Sequence, residues 1–348
     1  MTHIDKLVDE TPIPKGETWR PIEWAHLLAG DVADEKPSIL LRSDGPGLLY
    51  RGRLHSLYAE PEGMKTWVAL EACRQEIEVD NPVLYVDFED NQRGVLARLR
   101  SLGVEDNTIE KRFGYIRPAE RLNLQAWEHL DAVLSHQPSL VICDGVTEAM
   151  VLEGLNLVDN RDVAEFLERL PRRITRAGPA VLLLDHVGRN KDARGRFAIG
   201  AQAKLAGIDG AAYSIEVSEP FGRNKTGRAR LQLQKDRIGF VSEHSIGSKR
   251  DIAAVIATSM DGKVEIHLEP PADPEKWKPT RLMELVSEAV ETTPGMTTNQ
   301  LVSLVNGRRE YKIQAISNLV AEWYVRTEPG PRNALLHHSE KPYREPQP

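Results

Sequence analysis

The chain has 348 residues, 28% of them charged and 41% hydrophobic, which suits one large α/β domain with room for a small second module. A net charge of -7 argues against a protein that coats nucleic acid by bulk electrostatics, so contacts with DNA are expected only from local patches. Two cysteines, Cys73 and Cys143, exclude a disulfide framework or a cysteine zinc site, and both read as small core residues.

In chain order, residues 1–37 read as a polar, proline-punctuated arm with a short amphipathic stretch at 22–28. The N-terminus has no signal-peptide pattern and no apolar run is as long as a membrane span, so a cytoplasmic protein without membrane contact is expected. From 38 onward short apolar runs alternate with helical patterns. Strands are expected at 54–58, 83–87, 140–144, 180–185, 212–217 and 229–234, with helices at 67–78, 92–102, 122–134 and 162–177 between the earlier ones. Alternation of this kind implies right-handed crossovers and a mostly parallel sheet flanked by helices, spanning 38–268, with the ligand at the C-terminal strand ends. Residues 269–280, with four prolines, read as a linker. Residues 281–348 read as three short helices and a hairpin, the outline of a small C-terminal winged helix-turn-helix.

The first strand runs into Glu60, Pro61, Glu62, Gly63, Met64, Lys65, Thr66 and Trp67. Strand, tight loop and helix in that order aim backbone N–H groups and a helix N-terminus at one spot, which suits a triphosphate. Lys65 supplies charge for the outer phosphates, and the Thr66 hydroxyl is placed to hold magnesium. The usual pattern Gly-x-x-x-x-Gly-Lys-Ser/Thr is broken here: Ala59 and Met64 stand at the two glycine positions, and Gly63 comes one residue early.

Downstream, the apolar run 83–87 ends in Asp87, Glu89 and Asp90. Glu89 has the reach to polarise an attacking water, while Asp90 reads as solvated. The run 140–144 presents Asp144 at its mouth, as a partner for magnesium through its water shell. The run 180–185 leads to His186, a candidate γ-phosphate sensor. A glycine-rich segment then carries Arg189, Lys191, Arg194, Arg196 and Lys204, followed by a second basic tract with Arg223 and Lys225. These cations are candidates for gripping a DNA backbone. Lys235 and Arg237 close the last strand on one side and are candidates to reach a neighbouring subunit's nucleotide.

With these parts in this order, the chain resembles the RecA-like P-loop ATPases, most closely the DnaB/RepA type of hexameric helicase. The resemblance spans about 38–268 and, more weakly, the C-terminal module. It implies that Lys65 and Thr66 are the Walker A pair, Glu89 the catalytic glutamate and Asp144 the Walker B aspartate, with Lys235 and Arg237 a finger inserted in trans. It further implies ATP and Mg2+ as cofactors, a homo-hexamer, and a motor on single-stranded or branched DNA in phage or plasmid replication or recombination. Two other readings stay open: a metal-dependent, structure-specific nuclease built on Asp87, Glu89, Asp90, Asp144 and Asp185, and a DNA-binding regulator whose altered loop has lost turnover.

Overall fold

A computed structural model describes residues 21, 24–28, 34–186, 201–271, 280–331 and 334–344. The chain divides into two compact units, residues 1–36 and 37–348. The first contains helix α1 (Ala25–Leu28), with Trp24 and Leu28 exposed.

In the second unit, strands β1 (Leu54–Ala59), β2 (Val83–Asp87), β3 (Phe113–Ile116), β4 (Leu140–Asp144), β5 (Ala180–His186) and β6 (Ala211–Glu219) run parallel. Strands β7 (Thr226–Asp236), β8 (Asp251–Met260) and β9 (Lys263–Glu269) continue the sheet as an antiparallel meander. The nine strands lie in the order β3-β2-β4-β5-β1-β6-β7-β8-β9, so the expectation of a mostly parallel sheet flanked by helices holds.

The helices follow from apolar spacing and caps. Helices α2 (Lys65–Glu78) and α3 (Gln92–Ser101) cross between the early strands, and the Asn91 side chain caps α3 by accepting from the N–H groups of Arg93 and Gly94. Helix α4 (Asp106–Arg112) leads into β3; α5 (Leu124–Leu134) and α6 (Val146–Glu153) flank β4 in sequence. The helical pattern expected over 162–177 is two helices, α7 (Asn160–Arg169) and α8 (Pro171–Thr175), because Pro171 lacks the N–H that would continue the first. Helix α9 (Ala201–Gly207) precedes β6.

Side chains on the parallel strands alternate between two cores. Leu140, Ile142, Leu182 and Leu184 pack on one face with Val68, Leu70 and Cys73 of α2. Val141, Cys143, Val181 and Leu183 pack on the other with Trp127, Met150 and Phe166. Burial on both faces explains why these strands read as continuous apolar runs rather than alternating ones. Both cysteines are free and buried, and burial pushes the Cys143 thiol up to about 12.

Beyond residue 279, helices α10 (Thr280–Thr292), α11 (Thr298–Leu304) and α12 (Arg309–Ala321) share a separate core that includes Met283, Leu301 and Leu319. Thr297 and Gln300 form a reciprocal capping box at the start of α11. A three-stranded sheet, β10 (Met296–Thr297), β12 (Leu335–Ser339) and β11 (Val325–Pro329) in that order, completes the module. Lys312 of α12 donates to the carbonyls of Val302 and Val305 and caps α11.

Candidate functional site

The sheet topology brings the C-terminal ends of β1, β2, β4 and β5 to one edge, where parallel sheets bind ligands. Register fixes which residues meet: Ala59 lies beside His186, Tyr58 beside Asp185, and Asp87 beside Asp144. The loop 60–64 leaves β1 here and turns back through a Gly63 N–H to Glu60 carbonyl bond of 3.0 Å. Gly63 is needed where it stands, since a Cβ there would lie 2.6 Å from both the Ala59 Cβ and the Glu60 carbonyl oxygen. Met64 adopts the left-handed backbone that a glycine usually supplies (φ 68°), at a cost of about 1–2 kcal/mol. Its residue is 3% exposed and belongs to the core cluster that α2 helps to build. The altered loop therefore keeps a glycine-like backbone, held by a buried methionine.

Lys65 opens α2 and is buried. Its Nζ lies 2.9 Å from His186 Nδ1, and His186 Nε2 lies 3.2 Å from both carboxylate oxygens of Glu89. A charged ammonium donates to Nδ1, so the bond pattern assigns a neutral His186 that carries its proton on Nε2 and donates it to Glu89. Burial lowers the Lys65 pKa, opposed by the negative charges of Glu89, Asp144, Asp185 and Glu148. Three residues from three strand ends thus form one continuous chain.

Asp144 is 3% exposed. Tyr85 donates its hydroxyl to Oδ2, while Oδ1 is buried with no hydrogen-bond partner among the described residues. Burial is the main cause that pushes this carboxyl up to about 6; the charges of Glu89 and Asp87 add to it, and Tyr85 and Lys65 oppose it. An orphaned, desolvated carboxylate oxygen fits a divalent cation. Among the described residues no group of three His, Cys, Asp or Glu forms a protein-only metal cage. Magnesium bound through one carboxylate, a hydroxyl and substrate phosphates matches that donor set. Thr66, half-buried, lines a cavity at this sheet edge together with Lys65, Glu89 and His186.

That cavity, of about 1030 Å³, is walled by the loop residues Pro61 to Met64, by Lys65, Thr66 and Trp67, and by Glu89 and His186. Its far wall comes from two hairpin tips, Phe221 to Asn224 between β6 and β7 and Ser259, Asp261 and Gly262 around the β8–β9 turn. Trp67 meets Phe221 edge to face at 5.3 Å. The hairpin tips are tied by bonds from the Asn224 N–H to Ser259 Oγ (3.3 Å) and from the Ser259 N–H to the Lys225 carbonyl (3.1 Å). Sequence reading missed this wall, although Asp261-Gly262, both with positive φ (50° and 79°), is a strong hairpin signal.

The remaining candidates separate. Asp87 accepts from the N–H groups of Glu89 and Asp90 and from the Tyr115 hydroxyl, so it shapes the turn that carries Glu89. Asp90 pairs with Arg98 at 2.6 Å instead of being simply solvated. Asp185 accepts from Thr147 and from Lys204, at 2.6 Å in a buried pair. Lys204 is therefore a correction: its ammonium is committed to Asp185 inside the protein and is not offered to a DNA strand. Lys235 is a second correction, because its Nζ donates to the carbonyls of Leu205 (2.8 Å), Ala206 (3.1 Å) and Ile208 (2.6 Å) at the end of α9. All three ammonium protons are used at home, which leaves none for a neighbouring nucleotide. Arg237 is exposed, and among the described residues its side chain has no partner. Arg223 and Lys225 are exposed on the β6–β7 tip, with Arg223 facing the cavity beside the phosphate-binding loop. Arg189, Lys191, Arg194 and Arg196 lie outside the described residues.

Residues 20–192 match a family model described as AAA domain, which supports a P-loop ATPase. Among curated proteins, none matches the chain. A crystal structure of a KaiC-like protein from the hyperthermophilic archaeon Pyrococcus horikoshii OT3 is similar, with 14% identity and a TM-score of 0.45 over 68% of this chain and 98% of that one. Among the described residues no helix is long and apolar enough to cross a membrane.

Proposed function

We propose that the protein is a magnesium-dependent ATPase that works as a DNA motor of the DnaB/RepA helicase type, assembled as a hexameric ring in phage or plasmid replication or recombination. The observation that carries the ATPase reading is the Lys65–His186–Glu89 chain beside the unpartnered Asp144 oxygen. The loop N–H groups and Lys65 bind and orient the triphosphate, and Glu89 accepts the proton of the attacking water. His186 touches both the phosphate-binding lysine and the base, so a change at the terminal phosphate is felt at Glu89. Thr66 and Asp144 would hold the Mg2+, which when bound neutralises phosphate charge.

Support for the motor reading is more local. Arg237 is an exposed cation with a free side chain among the described residues, as a finger acting in trans requires. Lys225 sits at an exposed hairpin tip, suited to a strand of single-stranded or branched DNA. The C-terminal module has the helix and hairpin order of a winged helix-turn-helix, and α12 exposes Arg309, Tyr311 and Ser317 toward a partner. The nuclease reading loses ground, since Asp87, Asp90 and Asp185 are each committed to bonds of their own.

The test is Mg2+-dependent ATP hydrolysis with and without single-stranded DNA, for the parent, Lys65→Ala and Arg237→Ala. Loss in both variants, with recovery when the two are mixed, supports a site shared between subunits. Turnover unaffected by DNA and by Arg237→Ala removes the motor and leaves an ATPase.

A further inference from the structure

Glu148 lies four residues beyond Asp144, in the first turn of α6, and none of the motifs above uses it. Its position is the third of the helix, from which a glutamate commonly reaches back to the N-cap N–H. Here it does not: α6 has Gly145 as N-cap with no side-chain cap, and Glu148 Oε2 is buried without a hydrogen-bond partner among the described residues.

Gly145 locates the carboxylate. With φ at +86°, a Cβ at that residue would stand 3.1 Å from Glu148 Oε2 and 3.1 Å from the Glu89 Cβ. Glu148 therefore sits between the tips of β2 and β4, beside the stem of Glu89. Its neighbour Thr147 turns the other way and donates to Asp185. The Lys65 ammonium feels the charges of Glu89, Asp144, Asp185 and Glu148 together. Two of these four carboxylates, Asp144 and Glu148, each have a buried oxygen with no hydrogen-bond donor among the described residues. Leaving such an oxygen dry is costly unless a donor arrives with a ligand.

We infer that Glu148 is a positioning residue of the hydrolytic centre, accepting hydrogen bonds from the water shell of the magnesium that accompanies the nucleotide, beside Asp144. The inference rests on the ATPase reading above. Partners of this kind orient first ligands without touching the substrate, and their loss weakens metal affinity more than nucleotide affinity. A purely structural glutamate would affect folding and leave the metal alone.

The experiment measures Mn2+ binding to the full chain with the non-hydrolysable analogue AMPPNP, by water-proton relaxation, and separately AMPPNP binding in EDTA. The proteins are the parent, Glu148→Gln, Glu148→Asp and Lys65→Ala. Glu148→Gln is expected to raise the Mn2+ dissociation constant by about 10- to 100-fold while metal-free AMPPNP affinity stays at the parental value. Glu148→Asp, which keeps the charge but shortens the reach, falls between and serves alone if the glutamine variant does not fold. Mn2+ affinity equal to the parent's in both variants overturns the inference and leaves the ATPase reading standing. A parent that binds no AMPPNP, indistinguishable from Lys65→Ala, overturns the ATPase reading and this inference with it.

Discussion

At the scale of single residues, buried polar groups are decided by which donor faces which atom. His55, the second residue of β1, is fully buried, and its Nδ1 receives the Ala211 N–H at 3.0 Å. Burial drives its pKa down to about 4, so the ring is neutral in the folded protein. Because the folded value lies below the unfolded one, the unfolded chain takes up the proton first as pH falls. His55 should then withdraw about 3 kcal/mol of stability between pH 6.5 and pH 4, read as a falling urea midpoint that His55→Gln flattens. Gly210 leaves room for that ring, since a Cβ there would collide with all three of its far atoms. Gly210→Ala should cost about 1–3 kcal/mol by overpacking, measured by the same denaturation. Arg223, exposed at the cavity wall, contributes less: Arg223→Ala should weaken ATP binding about five-fold, or about 1 kcal/mol, by isothermal titration.

Elements show what the amino-acid order discloses and what it conceals. Strands β2, β4 and β5 behind the site were legible because burial on both faces makes their runs apolar up to the polar tips, and Glu89, Asp144 and His186 followed from where those runs stop, as Lys65 and Thr66 followed from the loop after β1. Helix α7 was read too long because apolar spacing continues past Pro171, whose missing N–H ends it. Strands β8 and β9 went unread, although their Asp-Gly turn supplies the far cavity wall. Long flexible side chains were the least legible. The destinations of Lys204, Lys235 and Lys312 depend on carbonyls and carboxylates that only tertiary packing brings near. Lys235→Met tests this at the end of α9, where it strands three helix-end carbonyls. It should lower stability by about 1–3 kcal/mol in thermal or urea unfolding, and any lost ATPase activity should not return on mixing with Lys65→Ala subunits. Recovery on mixing would instead restore Lys235 as a finger.

For the whole molecule, one sheet edge collects a lysine, a histidine and two acids from β1, β2, β4 and β5, while the antiparallel meander closes the cavity from the opposite side. The arrangement keeps Asp144 dry and costly to ionise in the absence of a cation. Nucleotide with Mg2+ should therefore raise the melting temperature more than either alone, and Asp144→Asn should abolish that synergy while stabilising the bare protein near pH 8. The proposed hydrolysis turns on Glu89 acting as the base for water activated at this centre. Its most direct test compares ATP binding and Mg2+-dependent single-turnover hydrolysis in the parent and Glu89→Gln. The expected result is ATP affinity close to the parent's with hydrolysis slowed by about 100-fold or more. Hydrolysis by Glu89→Gln at the parental rate, or none by the parent itself, would contradict it.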